Sequence, residues 1–271
     1  MTTKTFKNAG IMIPIKAGKT LLLCLFLLFL YSSVAQNESV FSYRYKAILL
    51  DSTYDSKPDP EMKAYIESLQ KELSIEMEVE IGTATSNLSS YAPASPLSNF
   101  LTDELFYFGS DYCKTNFGIP ADFSLLNFGG IRSNIPAGKI SVGTIFKVLP
   151  FENKVVIILL KGSEVKKLFN SFSAKNNQPY SQVVVAYQNE KPYQILINKE
   201  KIDDERIYRM VTIDFIATGG DKILNGIHLE KIIYTNFLIR DAIISQIKKI
   251  TAAGKTIDVK TDERVIIDYQ N

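Results

Sequence analysis

The chain has 271 residues, 46% of them hydrophobic and 22% charged, with 14 Gly and 10 Pro: the composition of a globular protein, not of a disordered tail or a collagen-like fibre. Lys and Arg number 31 against 29 Asp and Glu, so there is no basic excess to neutralise the phosphates of a polymeric nucleic acid. One His and two Cys are too few for zinc fingers, iron–sulfur sites or His-rich di-metal centres.

Residues 1–35 read as a secretory signal peptide. Lys4, Lys7, Lys16 and Lys19 precede an apolar run from Leu21 to Leu30 that is too short to span a bilayer comfortably, and Ser33-Val34-Ala35 offers small residues for cleavage before Gln36. A retained membrane anchor is the alternative reading. Cys24 lies inside the apolar run, away from the context of a lipid-attachment cysteine. The expected location is periplasmic or secreted, with no membrane span after cleavage. Cleavage would leave Cys113 as the one cysteine and turn the net charge to −2, so the core alone must hold the fold.

Along the rest of the chain, residues 41–50 alternate as a strand does, and a polar, Pro-punctuated connector leads to Asp59. From there Pro60 at a first-turn position and Met62, Ile66, Leu69 and Leu73 on one face predict a helix of about four turns. A short strand is expected near Met77–Ile81. Ser95-Pro96 reads as an N-cap followed by Pro at N1, opening a helix to about Cys113 that turns Leu97, Leu101, Leu105 and Phe108 inward.

Phe123–Leu126 reads as a short buried strand, Val142–Val148 as a short helix, and Val155–Leu160 as a central strand. Gly162-Ser163 opens a helix to about Phe172. Val183–Tyr187 and Tyr193–Ile197 form a hairpin around Gln188–Pro192, and Arg206–Ile213 is a further strand. A helix is expected from Asn236 to Ile250 and a last strand at Arg264–Asp268. Helices and strands mix without strict alternation, which indicates an α+β fold with a mixed sheet packed with helices. The domains follow as a signal peptide at 1–35, an N-terminal strand and linker helix at 36–94, and the main domain at 95–271.

Three loops carry candidate chemistry. Asn127-Phe128-Gly129-Gly130-Ile131-Arg132 pairs two glycines, which let backbone approach a ligand, with the cationic fork of Arg132. It reads equally as a plain Gly-rich turn ending in a surface Arg. In the second loop Phe151 and Asn153 offer an aromatic face and an amide, or else a core Phe beside a turn Asn. In the third, Phe215 is followed by Gly219-Gly220 and by Asp221, a carboxylate able to accept two hydroxyls of a ribose diol. His228, flanked by apolar residues, reads as structural or surface, and Asp203-Asp204 and Asp262-Glu263 read as solvated charge.

With these residues the chain resembles the C-terminal, substrate-binding domain of the bacterial secreted 5′-nucleotidases, the family that includes UDP-sugar hydrolases. The resemblance runs from the helix near Asp59, similar to that family's interdomain linker helix, to the last strand. Its most specific match is Phe215–Asp221. Phe128 stands where the family usually has Gly, and the family's Arg just ahead of the Ser95-Pro96 helix is missing.

The resemblance implies that Phe151 and Phe215 sandwich a base, that Asn153 bonds its edge, that Asp221 holds the ribose hydroxyls and that Arg132 faces phosphate, with Gly129, Gly130, Gly219 and Gly220 shaping the loops. It also implies an exported nucleotide- or nucleoside-binding subunit of a split 5′-nucleotidase. That subunit would serve nucleotide catabolism and phosphate ester hydrolysis together with a separately encoded metallophosphatase that holds the divalent metal ions. No catalytic residue and no metal ligand is expected in this chain, and so no cofactor. The alternative is a non-catalytic nucleoside-binding or scaffold protein that keeps the fold.

Overall fold

The structure, a computed structural model, describes residues 59–268 continuously and, ahead of them, residues 22–24, 26–27, 43–49 and 51–52. The chain divides into two compact units, Met1–Pro58 and Asp59–Asn271. The signal-peptide reading of 1–35 falls almost wholly outside the described residues. Residues 43–49, where alternation predicts a strand, are exposed and without regular structure; an alternating segment becomes a strand only where an edge pairs with it.

The second unit opens with α1 (Pro60–Met77), capped by Asp59, whose carboxylate accepts from the backbone N–H of Glu61 and Met62 at 2.9 and 3.2 Å. None of its residues is buried, and the stripe of Met62, Ile66, Leu69 and Leu73 faces solvent. The helix runs through Met77, so the strand expected from that residue starts later, as β1 (Glu80–Ala84).

Ser95 caps α2 (Pro96–Phe117) through a capping box with Ser98, and Gly118 ends it in the left-handed conformation, one turn beyond the expected Cys113. Leu97, Leu101 and Leu105 are fully buried and Phe108 packs at the edge of the core. The helix lies so close on the sheet that a Cβ at Gly109 would collide with the Val211 side chain.

There follow β2 (Phe123–Leu125), β3 (Gly138–Ser141), α3 (Val142–Val148) and β4 (Lys154–Lys161). Next come α4 (Gly162–Asn170), β5 (Tyr180–Ser181), β6 (Val183–Gln188) and β7 (Lys191–Ile197). The chain then runs through β8 (Glu200–Lys201), β9 (Ile207–Ile213), α5 (Asp214–Ala217), β10 (Lys231–Leu238), α6 (Ile239–Ala252) and β11 (Val265–Asp268). The helix expected from Asn236 starts at Ile239, because Asn236–Leu238 complete β10, and the helix expected to reach Phe172 ends at Asn170.

A five-stranded sheet in the order β10-β4-β9-β2-β5 forms the centre. Strand β2 runs parallel to β9 and the other neighbours are antiparallel. Val155–Ile158 of β4 are all fully buried, which is why that strand reads as an unbroken branched run and not as an alternation. A second sheet, β11-β6-β7-β8, holds the hairpin around Asn189-Glu190, both at positive φ as a primed turn requires, and β11 joins it parallel to β6. A third pairs β1 with β3. The fold is α+β, with mixed sheets packed with helices.

Candidate functional site

The residues singled out in the three loops gather at one end of the central sheet, because each loop leaves a strand or enters one there. After β2 the chain makes a 3₁₀ turn at Phe128–Gly130; before β4 it carries Phe151 and Asn153; after β9 it enters α5 and a second short turn at Gly220–Lys222. Backbone bonds pin them together. Arg132 N–H donates to Val148 C=O at 2.9 Å, and Ile239 N–H donates to Asn153 C=O at 2.9 Å. The Asp214 carboxylate accepts from the N–H groups of Lys154 and Phe215 at 3.0 and 2.9 Å, fixing the second loop against the third.

Between them lies a narrow, mostly apolar slot lined by Phe151, Asn153, Asn127 and Gly130, with Leu149 and Ile239 alongside. Asn127 is buried, and its Nδ2 donates to Asp221 Oδ2 at 2.6 Å across 94 positions of sequence. Its Oδ1 is buried without a partner among the described residues. Gly130 sits against that amide so closely that a Cβ would lie 2.9 Å from Oδ1. Asp221 thereby joins the slot through Asn127.

Phe215 and Arg132 are not in the slot's lining. Phe215 is 40% exposed with its ring laid on Gly220, where any side chain would collide with it, and Gly219 turns the chain with φ 99°. Phe151 is 47% exposed. Neither ring pairs with another aromatic ring among the described residues. Arg132 is exposed and directs Nη1 to Gly129 C=O at 3.3 Å.

Two supporting residues have no role in the sequence reading. Asn127 heads its loop, but nothing local marks it as Asp221's partner. Arg240, buried at the start of α6, donates from Nη1 to Pro150 C=O at 3.4 Å and lays its guanidinium 3.9 Å from the centre of the Phe146 ring, holding the second loop from beneath.

His228 has an exposed side chain, and its backbone N–H donates to Glu164 at 2.8 Å. Asp262, read from sequence as solvated charge, instead chelates Arg264 at 2.6 Å. No three of His, Cys, Asp and Glu among the described residues gather around a point that could hold a metal ion. The described donors therefore form no metal centre. No helix among the described residues is long and apolar enough to cross a membrane.

One aromatic face, Phe151, and the amides of Asn127 and Asn153 line the slot, Asp221 is tied to it through Asn127, and Phe215 lies outside it; the comparisons with known proteins give the class of the chain. The profile of the family described as 5′-nucleotidase, C-terminal domain, matches residues 78–226, more than half of the chain and all three loops. The chain belongs to this family. Among curated proteins it is similar to protein UshA of Escherichia coli strain K12, 35% identical over 106 residues that cover 37% of this chain and 19% of that protein. It is also similar to an apyrase of Tabanus yao, 27% identical over 213 residues that cover 69% of this chain and 38% of the apyrase. The chain thus matches well under half the length of these relatives. Among solved structures it shares its fold with a 5′-nucleotidase precursor of Thermus thermophilus, with a TM-score of 0.63 at 24% identity, covering 85% of this chain and 47% of that one.

Proposed function

We propose that this chain is the nucleotide- or nucleoside-binding part of an exported 5′-nucleotidase-type hydrolase, working with a separately encoded metallophosphatase that holds the divalent metal ions. The observation that supports the reading is that, in a member of this family, Phe151 and Asn153 line one slot with Asn127, whose side chain bonds Asp221. In this reading Phe151 and Phe215 close on the two faces of a base, Asn153 bonds its edge and Asp221 accepts the ribose hydroxyls. Arg132, exposed at the rim, exchanges its bond to Gly129 for a charge-assisted pair with phosphate. The chemistry of hydrolysis belongs to the partner's metals, and this chain binds and orients the substrate.

Stacking is worth about 1–3 kcal/mol per base, so removing both rings costs on the order of 100-fold in affinity. The test is a calorimetric titration of the purified chain with adenosine and AMP, beside the Phe151→Ala/Phe215→Ala variant. Both rings are half exposed, so the variant should fold. Binding that it abolishes supports the reading, and tighter binding of AMP than of adenosine assigns phosphate to Arg132. Metal-dependent AMP hydrolysis by the purified chain alone would overturn the division of labour, and no binding of either ligand would favour a scaffold that keeps the fold.

A further inference from the structure

Between the short turn at Gly220–Lys222 and β10 the chain carries Asn225-Gly226, its one Asn-Gly pair. Both residues are exposed, in a turn outside any helix or strand. The Asn225 side chain has no hydrogen-bond partner among the described residues. Nor does the Gly226 N–H, although the turn around it is bonded: Asn225 N–H donates to Lys222 C=O at 3.0 Å, Ile227 N–H to Leu224 C=O at 3.1 Å, and Lys167 Nζ to Gly226 C=O. Gly226 stands at φ 73° with no Cβ to shield its nitrogen, and nothing lies within 4 Å of the place a Cβ would take.

An asparagine amide and the backbone nitrogen that follows it are one ring closure apart. The Gly226 nitrogen gives its proton to water and attacks Asn225 Cγ; the N–Cγ bond forms, the bond from Cγ to Nδ2 breaks, and ammonia leaves with a proton taken back from water. A second water then opens the five-membered imide. Cleavage of its new N–Cγ bond leaves aspartate, and cleavage of the original peptide bond leaves isoaspartate, so a neutral amide becomes a carboxylate with nothing oxidised or reduced. A side chain on the following residue hinders the attack, and hydrogen bonds to the amide or the nitrogen hold the two apart. Asn225-Gly226 has neither obstacle.

The position of Asn225 gives the new charge a consequence. Asn225 lines a pocket of about 280 Å³ together with Asn176, Gln178, Asp221 and Lys222. Asp221 and Lys222 are the charged residues of its wall and they balance, so one further carboxylate turns the wall net negative. We propose that Asn225-Gly226 is a self-modifying site, at which Asn225 converts to aspartate or isoaspartate through its own backbone, and that the charge so placed beside Asp221 weakens the binding of anionic ligands relative to neutral ones. The conversion stands by itself; its effect on nucleotides rests on the role proposed above for Asp221.

In the experiment the purified chain is held for weeks in neutral buffer, native and unfolded in guanidinium chloride, and the peptide containing Asn225 is followed by mass spectrometry. Expected in the native chain is a gain of one mass unit with two chromatographically separable products, slowed several-fold by Gly226→Ala, whose fold a urea melt checks. A native chain that stays unmodified while the unfolded chain converts would overturn the site, because the fold would then protect it. Asn225→Asp supplies the charged product uniformly. It should bind AMP about two- to five-fold more weakly than the wild type does, as a screened surface charge dictates, and adenosine equally well. An equal loss for both ligands, or none for AMP, would overturn the effect of the charge. If the wild type binds neither ligand, the nucleoside reading falls and the mass spectra alone decide the modification, so the two can fail independently.

Discussion

In the proposed reading Asp221 accepts a diol, which requires its oxygens to be aimed, and Asn127 is the side chain that fixes one of them. Its Nδ2 holds Asp221 Oδ2 at 2.6 Å while its own backbone starts the glycine turn, so one buried side chain sets both the position of Asp221 and the depth of the loop. Asn127→Ala removes a hydrogen bond to a charged group, a change worth about 1.5–3 kcal/mol, part of it offset because Asp221 is exposed and takes water instead. The expected result is a nucleoside affinity lower by about ten-fold with a folded chain, read by titration beside a urea melt. Unchanged affinity would mean that Asp221 needs no anchor. Phe151, Asn153 and Asp221 can be singled out in sequence because Phe151 and Asn153 share one loop and Asp221 directly follows Gly219-Gly220. Asn127's partner cannot be, because it lies 94 positions away and only the folded sheet joins the two.

Elements with a strong internal period were legible almost to the residue. Val142–Val148 is a helix as expected, and the hairpin turns at Asn189-Glu190. Strand β10 was missed because its Ile232-Ile233 and Phe237-Leu238 pairs break the period of two, and its pairing with β4 decides its conformation instead. What periodicity does not show is a charged side chain turned inward, and α2 carries one. Glu104 is buried facing α6, and burial, reinforced by the neighbouring Asp103 carboxylate and opposed by Lys249, pushes its carboxyl up to about 7.

For a carboxyl raised above its unfolded value near 4.5, the neutral form is the one the fold prefers. Its favourable contribution is complete below that value and is lost as pH rises through 7. Glu104→Gln should keep the neutral state at every pH. Urea denaturation between pH 4.5 and 8 should therefore show the wild type losing roughly 1–3 kcal/mol relative to the variant as pH rises. Parallel curves for the two proteins would show that Glu104 is solvated in the folded chain.

At the scale of the whole molecule the sequence shows α+β and hides the topology, since β2 pairs with β9 and β11 with β6, both parallel and both far apart in the chain. Such closures depend on long-range contacts, and the chain's last strand depends on Arg264. Its side chain is 11% exposed and reaches Asp103 of α2 at 2.9 Å, Asp262 at 2.6 Å and Tyr180 C=O of β5 at 2.7 Å, so one guanidinium joins the second sheet, the central sheet and the helix between them. Asp262, a turn residue by sequence, is held ionised below its usual range by this contact: burial alone would raise it, and the bonds from Arg264 outweigh burial.

Arg264→Met keeps the packing of the stem and removes the fork, leaving two carboxylates and a carbonyl to find water at a half-closed site. The expected loss is about 2–4 kcal/mol in urea denaturation, with Arg264→Lys recovering only part, because a point charge cannot bond three acceptors in a plane. If β11 were merely laid on the edge of its sheet, both variants would fall within the roughly 0.5 kcal/mol of ordinary surface substitutions, and the closure of the domain would rest on its apolar core alone.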